Sequence, residues 1–188
     1  MKSQHQVVLS LGSNQGQRLE TIIQCIDVLH LEVGTVLKIS PVYESPAWGF
    51  ESTPFYNCAL VLHTTASPSQ VLSKILKIEK RLGRVRTATV GYAARSIDID
   101  IIAYDEIVLD SEKLKLPHPL LQDRNFVLLP FRDLQLNWIH PIFKKSILEL
   151  IVETTDNSIC QAVATIPAPL SSIPLEKFNY IAFEGNIG

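Results

Sequence analysis

The chain has 188 residues, 46% of them hydrophobic and 19% charged, which is globular usage with room for one domain of ordinary size plus a tail. A balance of 17 basic and 19 acidic residues gives a formal charge of -2, so neither a nucleic-acid backbone nor an acidic membrane is implied as a partner. Cys25, Cys58 and Cys160 are far apart and form no CxxC pair, which argues against a disulfide framework or a structural zinc site. No stretch approaches the roughly 20 apolar residues that span a bilayer, and no leader pattern opens the chain, so a cytoplasmic location is the default expectation.

In chain order, Val7 to Leu11 is a short apolar run that reads as a strand, with Gly12-Ser13-Asn14 as a turn and helix cap behind it. Leu19, Ile22, Ile23, Ile26 and Leu29 recur at helical spacing, with Gly34 past the end. Val36 to Tyr43 and Phe55 to Thr65 are β-branched or aromatic and read as two strands around a loop containing Ser45-Pro46-Ala47-Trp48-Gly49. Ser67, Pro68 and Gln70 spell a capping box with proline at the first helical position, and Val71, Leu72, Ile75, Ile78 and Leu82 share one face of a second helix closed by Gly83. Ser96 to Ile102 alternates polar and apolar residues, the period of a strand.

The resulting β-α-β-β-α-β order predicts an α+β, ferredoxin-like fold: an antiparallel sheet with helices packed on it. Phe126 to Leu134 and Ile147 to Val152 add C-terminal helices, with Pro130 expected to bend or interrupt the first. Residues 1–160 are read as the domain and 161–177 as a linker, whose three prolines fall between Thr165 and Pro174. Phe178 to Phe183 is again strand-like.

Asp98 and Asp100 are two apart on a strand, so both carboxylates leave the same face and can reach one site. Paired hard oxygen ligands suit magnesium bridging phosphate oxygens, although an edge strand could also leave both in solvent. Arg84, Arg86 and Arg95 lie close by in sequence, around a loop from Thr87 to Ala93. Arginine's rigid donor fork matches phosphate, and carboxylates for a metal with arginines for phosphate are the two electrostatic halves of a phosphoryl-transfer site. An RNA-binding use of the same fold would want aromatic and basic residues on the sheet, where this chain has Asp98 and Asp100. Trp48, Phe55, Tyr92 and Phe126 read first as packing residues, but could stack on a planar heterocycle.

Seven segments in order resemble one family: LSLGSN (Leu9 to Asn14), PVYESPAWG (Pro41 to Gly49), FYN (Phe55 to Asn57), EKRLGRVR (Glu79 to Arg86), ARSIDIDII (Ala94 to Ile102), LPHP (Leu116 to Pro119) and DRNFVLLP (Asp123 to Pro130). The chain is similar in these to the 6-hydroxymethyl-7,8-dihydropterin pyrophosphokinases of folate biosynthesis. That resemblance implies transfer of pyrophosphate from ATP to the pterin hydroxymethyl group, with AMP leaving. It implies Asp98 and Asp100 as ligands of two magnesium ions, with Arg84 and Arg95 beside them in catalysis. Arg86, Tyr92, Arg95, His118 and Arg124 would attend the ATP. Ser45, Pro46, Trp48, Phe55, Asn57 and Phe126 would form the pterin pocket, supported by Glu79. The final Glu184-Gly185-Asn186-Ile187-Gly188 resembles the first half of a GxxxxGK(S/T) phosphate loop, so 178–188 is expected to open a P-loop deoxynucleoside kinase domain fused behind the first.

Overall fold

In the computed structural model, the residues described are 3–47, 52–84 and 94–169. The central strand β1 (His5–Ser13) follows from an unbroken apolar run, and α1 (Arg18–Glu32) buries Ile22, Cys25, Ile26 and Leu29 beneath it. Next come β2 (Thr35–Ile39), β3 (Val42–Ser45), β4 (Phe55–Thr64), α2 (Pro68–Arg81) and β5 (Asp98–Tyr104). A small hairpin, β6 (Leu109–Asp110) with β7 (Lys115–Leu116), precedes α3 (Asn125–Asp133), α4 (Ile147–Glu153) and β8 (Gln161–Ala164). The main sheet runs β5-β1-β4-β3-β8 with β2 also on β4, and its neighbours are antiparallel. This is the expected α+β, ferredoxin-like arrangement, with α3 and α4 added.

Both sheet faces are covered. Val7, Leu9, Leu11, Leu60 and Leu62 meet α1 and α2 on one side, while Val8, Ala59, Val61 and Ile102 meet Val127, Leu128, Phe131 and Leu150 of α3 and α4 on the other. Two-sided burial explains why β1 and β4 read as continuous apolar runs rather than alternating ones. It also leaves a position for a site: α3 and α4 cover only part of the second face, and Ser10 and Gly12 of β1 open onto a cavity beside them.

Five expectations need correction. Gly12 and Ser13 are not a turn but the end of β1, paired with Asn57 and Tyr56. Asn14 is not the helix cap; α1 starts behind Gln17 without a side-chain cap, because Asn14 is engaged elsewhere. The strand expected over Val36 to Tyr43 is two strands: Pro41 has no amide to donate, and the Ser40 hydroxyl accepts the Ala59 amide at 2.9 Å where a ladder carbonyl would stand. Helix α3 runs through Pro130 unbroken, since burying Val127, Leu128, Pro130 and Phe131 outweighs one lost amide bond.

The linker expected at 161–177 begins instead with β8, which pairs with β3. Its exposed, polar-edged sequence carries no strand signal of its own, and β3 supplies the order. The segment 178–188 lies outside the described residues. Among those residues, no helix is long and apolar enough to cross a membrane.

Candidate active site

Helix α2 forms where the capping box places it, Ser67 accepting from the Gln70 amide and Gln70 returning the bond. Its other end is a tight left-handed stop. Gly83 sits at φ +87°, its amide reaches Lys80 O, and the Arg84 amide reaches Glu79 O at 3.0 Å. That reversal folds Arg84 back over the last turn, where its guanidinium bonds the buried Glu79 carboxylate. Glu79 Oε1 also accepts the Ile99 amide at 3.0 Å, tying α2 to β5.

On β5, Ile99 and Ile101 pack into the core beneath α1 and α2, so Asp98 and Asp100 face the opposite way, into the cavity. Arg84 Nη1 lies 2.5 Å from Asp98 Oδ1, and Arg95 bonds Asp98 Oδ2. Asp100 keeps partial access from the cavity, but burial and the neighbouring Asp98 charge raise its carboxyl to about 7, against the opposing pull of Arg124 and Arg95.

The segment after β7 supplies the facing wall. The His118 amide bonds Ile102 O at 2.9 Å, docking the turn on β5. Asp156 accepts the Asn125 amide at 2.7 Å and so fixes the start of α3, which carries Phe126, beside the buried Arg124. His118 Nδ1 accepts the Leu120 amide at 3.2 Å, which leaves the proton of the neutral ring on Nε2. Burial first and Arg124 second lower the His118 pKa to about 4, so the ring is neutral near pH 7.

Across the cavity, Ser45 and Pro46 at the end of β3 adjoin Phe55 and Asn57 of β4. Asn57 is 4% exposed and donates Nδ2 to Ser45 Oγ at 2.8 Å. Gly12 makes room for it, since a Cβ there would stand 3.0 Å from Asn57 Oδ1.

The structure thus gathers Asp98, Asp100, Arg84, Arg95, His118, Arg124, Glu79, Ser45, Pro46, Phe55, Asn57 and Phe126 around one cavity of about 350 Å³. Trp48, Arg86, Tyr92 and the loop from Thr87 to Ala93 lie outside the described residues. Sequence reasoning missed Ser10 and read Gly12 as part of a turn, although small or polar residues two apart in an apolar strand are a period-two signal. It also read Leu72 as core alone and overlooked Leu76, which line the cavity from α2.

No cluster of three or more His, Cys, Asp or Glu side chains that could hold a metal exists among the described residues. Two carboxylates nevertheless fit magnesium, which commonly takes one or two together with phosphate oxygens and water. Burial, and after it the Asp98 charge, disfavour an ionised Asp100 carboxylate, and a bound cation would stabilise that ionised form.

Acidic pair, arginines, a neutral imidazole and an apolar recess on a ferredoxin-like sheet make the class a phosphoryl-transfer site with room for a flat second substrate. Residues 8–136 match 7,8-dihydro-6-hydroxymethylpterin-pyrophosphokinase (HPPK), and the chain belongs to that family. It is 42% identical over 155 residues to the 2-amino-4-hydroxy-6-hydroxymethyldihydropteridine pyrophosphokinase of Aquifex aeolicus (strain VF5), covering 82% of this chain and 95% of that one. Against the enzyme of the same name from Porphyromonas gingivalis (strain ATCC 33277) identity is 39% over 138 residues, 72% of this chain and 93% of the other. Among solved structures, an HPPK-DHPS in complex with substrates shares the fold at a TM-score of 0.64 and 14% identity, covering 78% of this chain and 42% of that one.

Proposed function

We propose that this chain transfers the terminal pyrophosphoryl group of ATP to the hydroxymethyl oxygen of 6-hydroxymethyl-7,8-dihydropterin, releasing AMP, as a step of folate biosynthesis. The observation that carries the reading is that one cavity joins an anion-binding wall, Arg84, Arg95, His118 and Arg124, to a recess lined by Ser45, Phe55, Asn57 and Phe126.

In this mechanism the pterin ring lies between Phe55 and Phe126, and Asn57 reads its polar edge while Ser45 holds the Asn57 amide in orientation. The hydroxymethyl oxygen attacks the β-phosphorus and gives its proton up to solvent, the bond from that phosphorus to the α,β-bridging oxygen breaks, and AMP departs with that oxygen. Magnesium, when bound, supplies charge neutralisation on the triphosphate, and Asp98 and Asp100 would be its protein ligands. Arg84 and Arg95, which hold Asp98 here, carry guanidinium donors suited to phosphate oxygens. His118 offers Nε2–H as a neutral donor, and Arg124 adds fixed positive charge. Positioning and charge neutralisation supply most of the acceleration in such transfers, so no covalent nucleophile is called for. The buried thiols agree: burial pushes Cys58 up to about 12 and raises Cys25 as well.

Phosphorus NMR of a mixture of protein, ATP, magnesium and the dihydropterin tests the reading. Pterin-dependent AMP and a pyrophosphate monoester are expected, whereas ADP or free pyrophosphate would contradict it.

For the tail, the sequence pattern at Glu184 to Gly188 supports the opening of a P-loop kinase domain. Removing residues 170–188 should then leave the melting temperature and AMP release unchanged, and a large fall in either refutes this reading.

A further inference from the structure

Helix α3 begins against the usual rule for helix starts. Its N-cap is Arg124, in extended backbone at φ -138° and ψ 107°, and the Arg124 side chain does not cap the helix. A guanidinium carries donors alone, whereas the first amides of a helix need an acceptor. Helices α2 and α4 follow the rule, each starting behind a serine that closes a capping box, Ser67 and Ser146. At α3 the acceptor comes from 31 residues downstream: Asp156 Oδ2 takes the Asn125 amide at 2.7 Å.

The grip on Asn125 is double, because the Asp156 carbonyl also accepts its Nδ2 at 2.6 Å. Asp156 is itself held in place. It is 9% exposed, its Oδ1 accepts the Ser158 amide at 2.8 Å, and its Oδ2 accepts the Ser158 hydroxyl at 3.0 Å. A carboxylate at this end of a helix also matches the positive pole of the helix dipole. Asp156 does not line the cavity, but both chain neighbours of Asn125 do. The Arg124 guanidinium carbon lies 5.6 Å from the centre of the Phe126 ring, so the two side chains form one piece of wall whose place depends on the backbone between them.

We propose that Asp156 is a positioning residue for the pterin recess: it caps α3 in place of Arg124, whose side chain is given to the cavity, and thereby fixes Phe126 where the flat substrate stacks. The inference rests on the function proposed above and adds to it a residue outside the cavity that sets affinity for the pterin.

Steady-state AMP release, with the dihydropterin varied at saturating ATP and magnesium, gives KM and kcat for wild type and three variants. Asp156→Ala removes every carboxylate acceptor. Asp156→Ser keeps one hydroxyl oxygen, enough for the turn to Ser158 but not for the Asn125 amide as well, so it tests the cap even where the alanine variant does not fold. Asp156→Asn keeps an acceptor for that amide. Stacking acts alike on the bound ground state and the transition state, so its loss shows in KM. The pterin KM should rise about tenfold in Asp156→Ala and Asp156→Ser with kcat within about threefold of wild type, and should stay within about twofold of wild type in Asp156→Asn. A residue that merely fastened the chain would, when replaced, lower the folded fraction and with it kcat, at wild-type KM. That pattern overturns the inference, as does an Asp156→Asn protein whose KM rises as far as that of Asp156→Ala. A wild type that forms no AMP in response to pterin overturns the proposed function, and this inference with it.

Discussion

Replacing Asp100 by Asn should make the protein more stable at neutral and alkaline pH while removing its magnesium-dependent nucleotide binding. Burial and the adjacent Asp98 charge raise the Asp100 carboxyl from 3.8 to about 7, so its ionised form is disfavoured in the folded state. The sign follows from linkage: the folded state holds the proton more tightly than the unfolded one. The associated stability is therefore full below about pH 4 and is lost as pH rises through about 7. At roughly 1.36 kcal/mol per tenfold, the loss is at most about 4 kcal/mol, and solvent reaching Asp100 from the cavity reduces it to about 2–3 kcal/mol. Asn at this position carries no such loss. Urea unfolding followed by tryptophan fluorescence, on both proteins between pH 4 and 8, should show a difference in favour of Asp100→Asn that grows to a plateau above about pH 7. A variant less stable than wild type at pH 8, or a difference independent of pH, would refute the reasoning.

Asn57→Ala should weaken pterin binding by about 1–3 kcal/mol, because it leaves a polar edge unpaired in a closed recess, and should spare nucleotide affinity; separate calorimetric titrations decide. Gly34→Ala should lower the melting temperature by several degrees, since its Cβ would fall 2.2 Å from His63 O, and an unchanged melting curve would contradict the packing described. His118, lowered to about 4 by burial and Arg124, should show no proton-NMR titration between about pH 5.5 and 8, whereas an inflection near 6.5 would mean that it is not buried beside Arg124.

Much of the frame was legible because its signals are local. The capping box of α2 lies wholly between Ser67 and Gln70, and the alternation from Ser96 to Ile102 put both aspartates on one face without reference to any other strand. What was not legible depends on partners far away in sequence. Ser40 ends β2 through a bond to Ala59 on β4, and β8 is a strand because β3 lies beside it. Asn14 has the residue type of a helix cap and stands close to the start of α1, so local rules assign it there; its partners at 52, 53 and 95 are visible only after folding. The site divides in the same way. The acidic pair and the arginines follow from pattern, but that Glu79 anchors Arg84 follows from the left-handed stop at Gly83, and the room that Gly12 leaves for Asn57 follows from strand register.

The central claim is that the cavity around Asp98 performs pyrophosphoryl transfer. Its most direct test is the initial rate of pterin-dependent AMP release by wild type and by Asp98→Ala, with circular dichroism confirming that both are folded. One AMP should form per pterin converted in wild type, and the variant should lose about 100-fold or more in rate, the scale for removing one charge-stabilising element from such a site. A folded Asp98→Ala protein that releases AMP at nearly the wild-type rate would contradict the account.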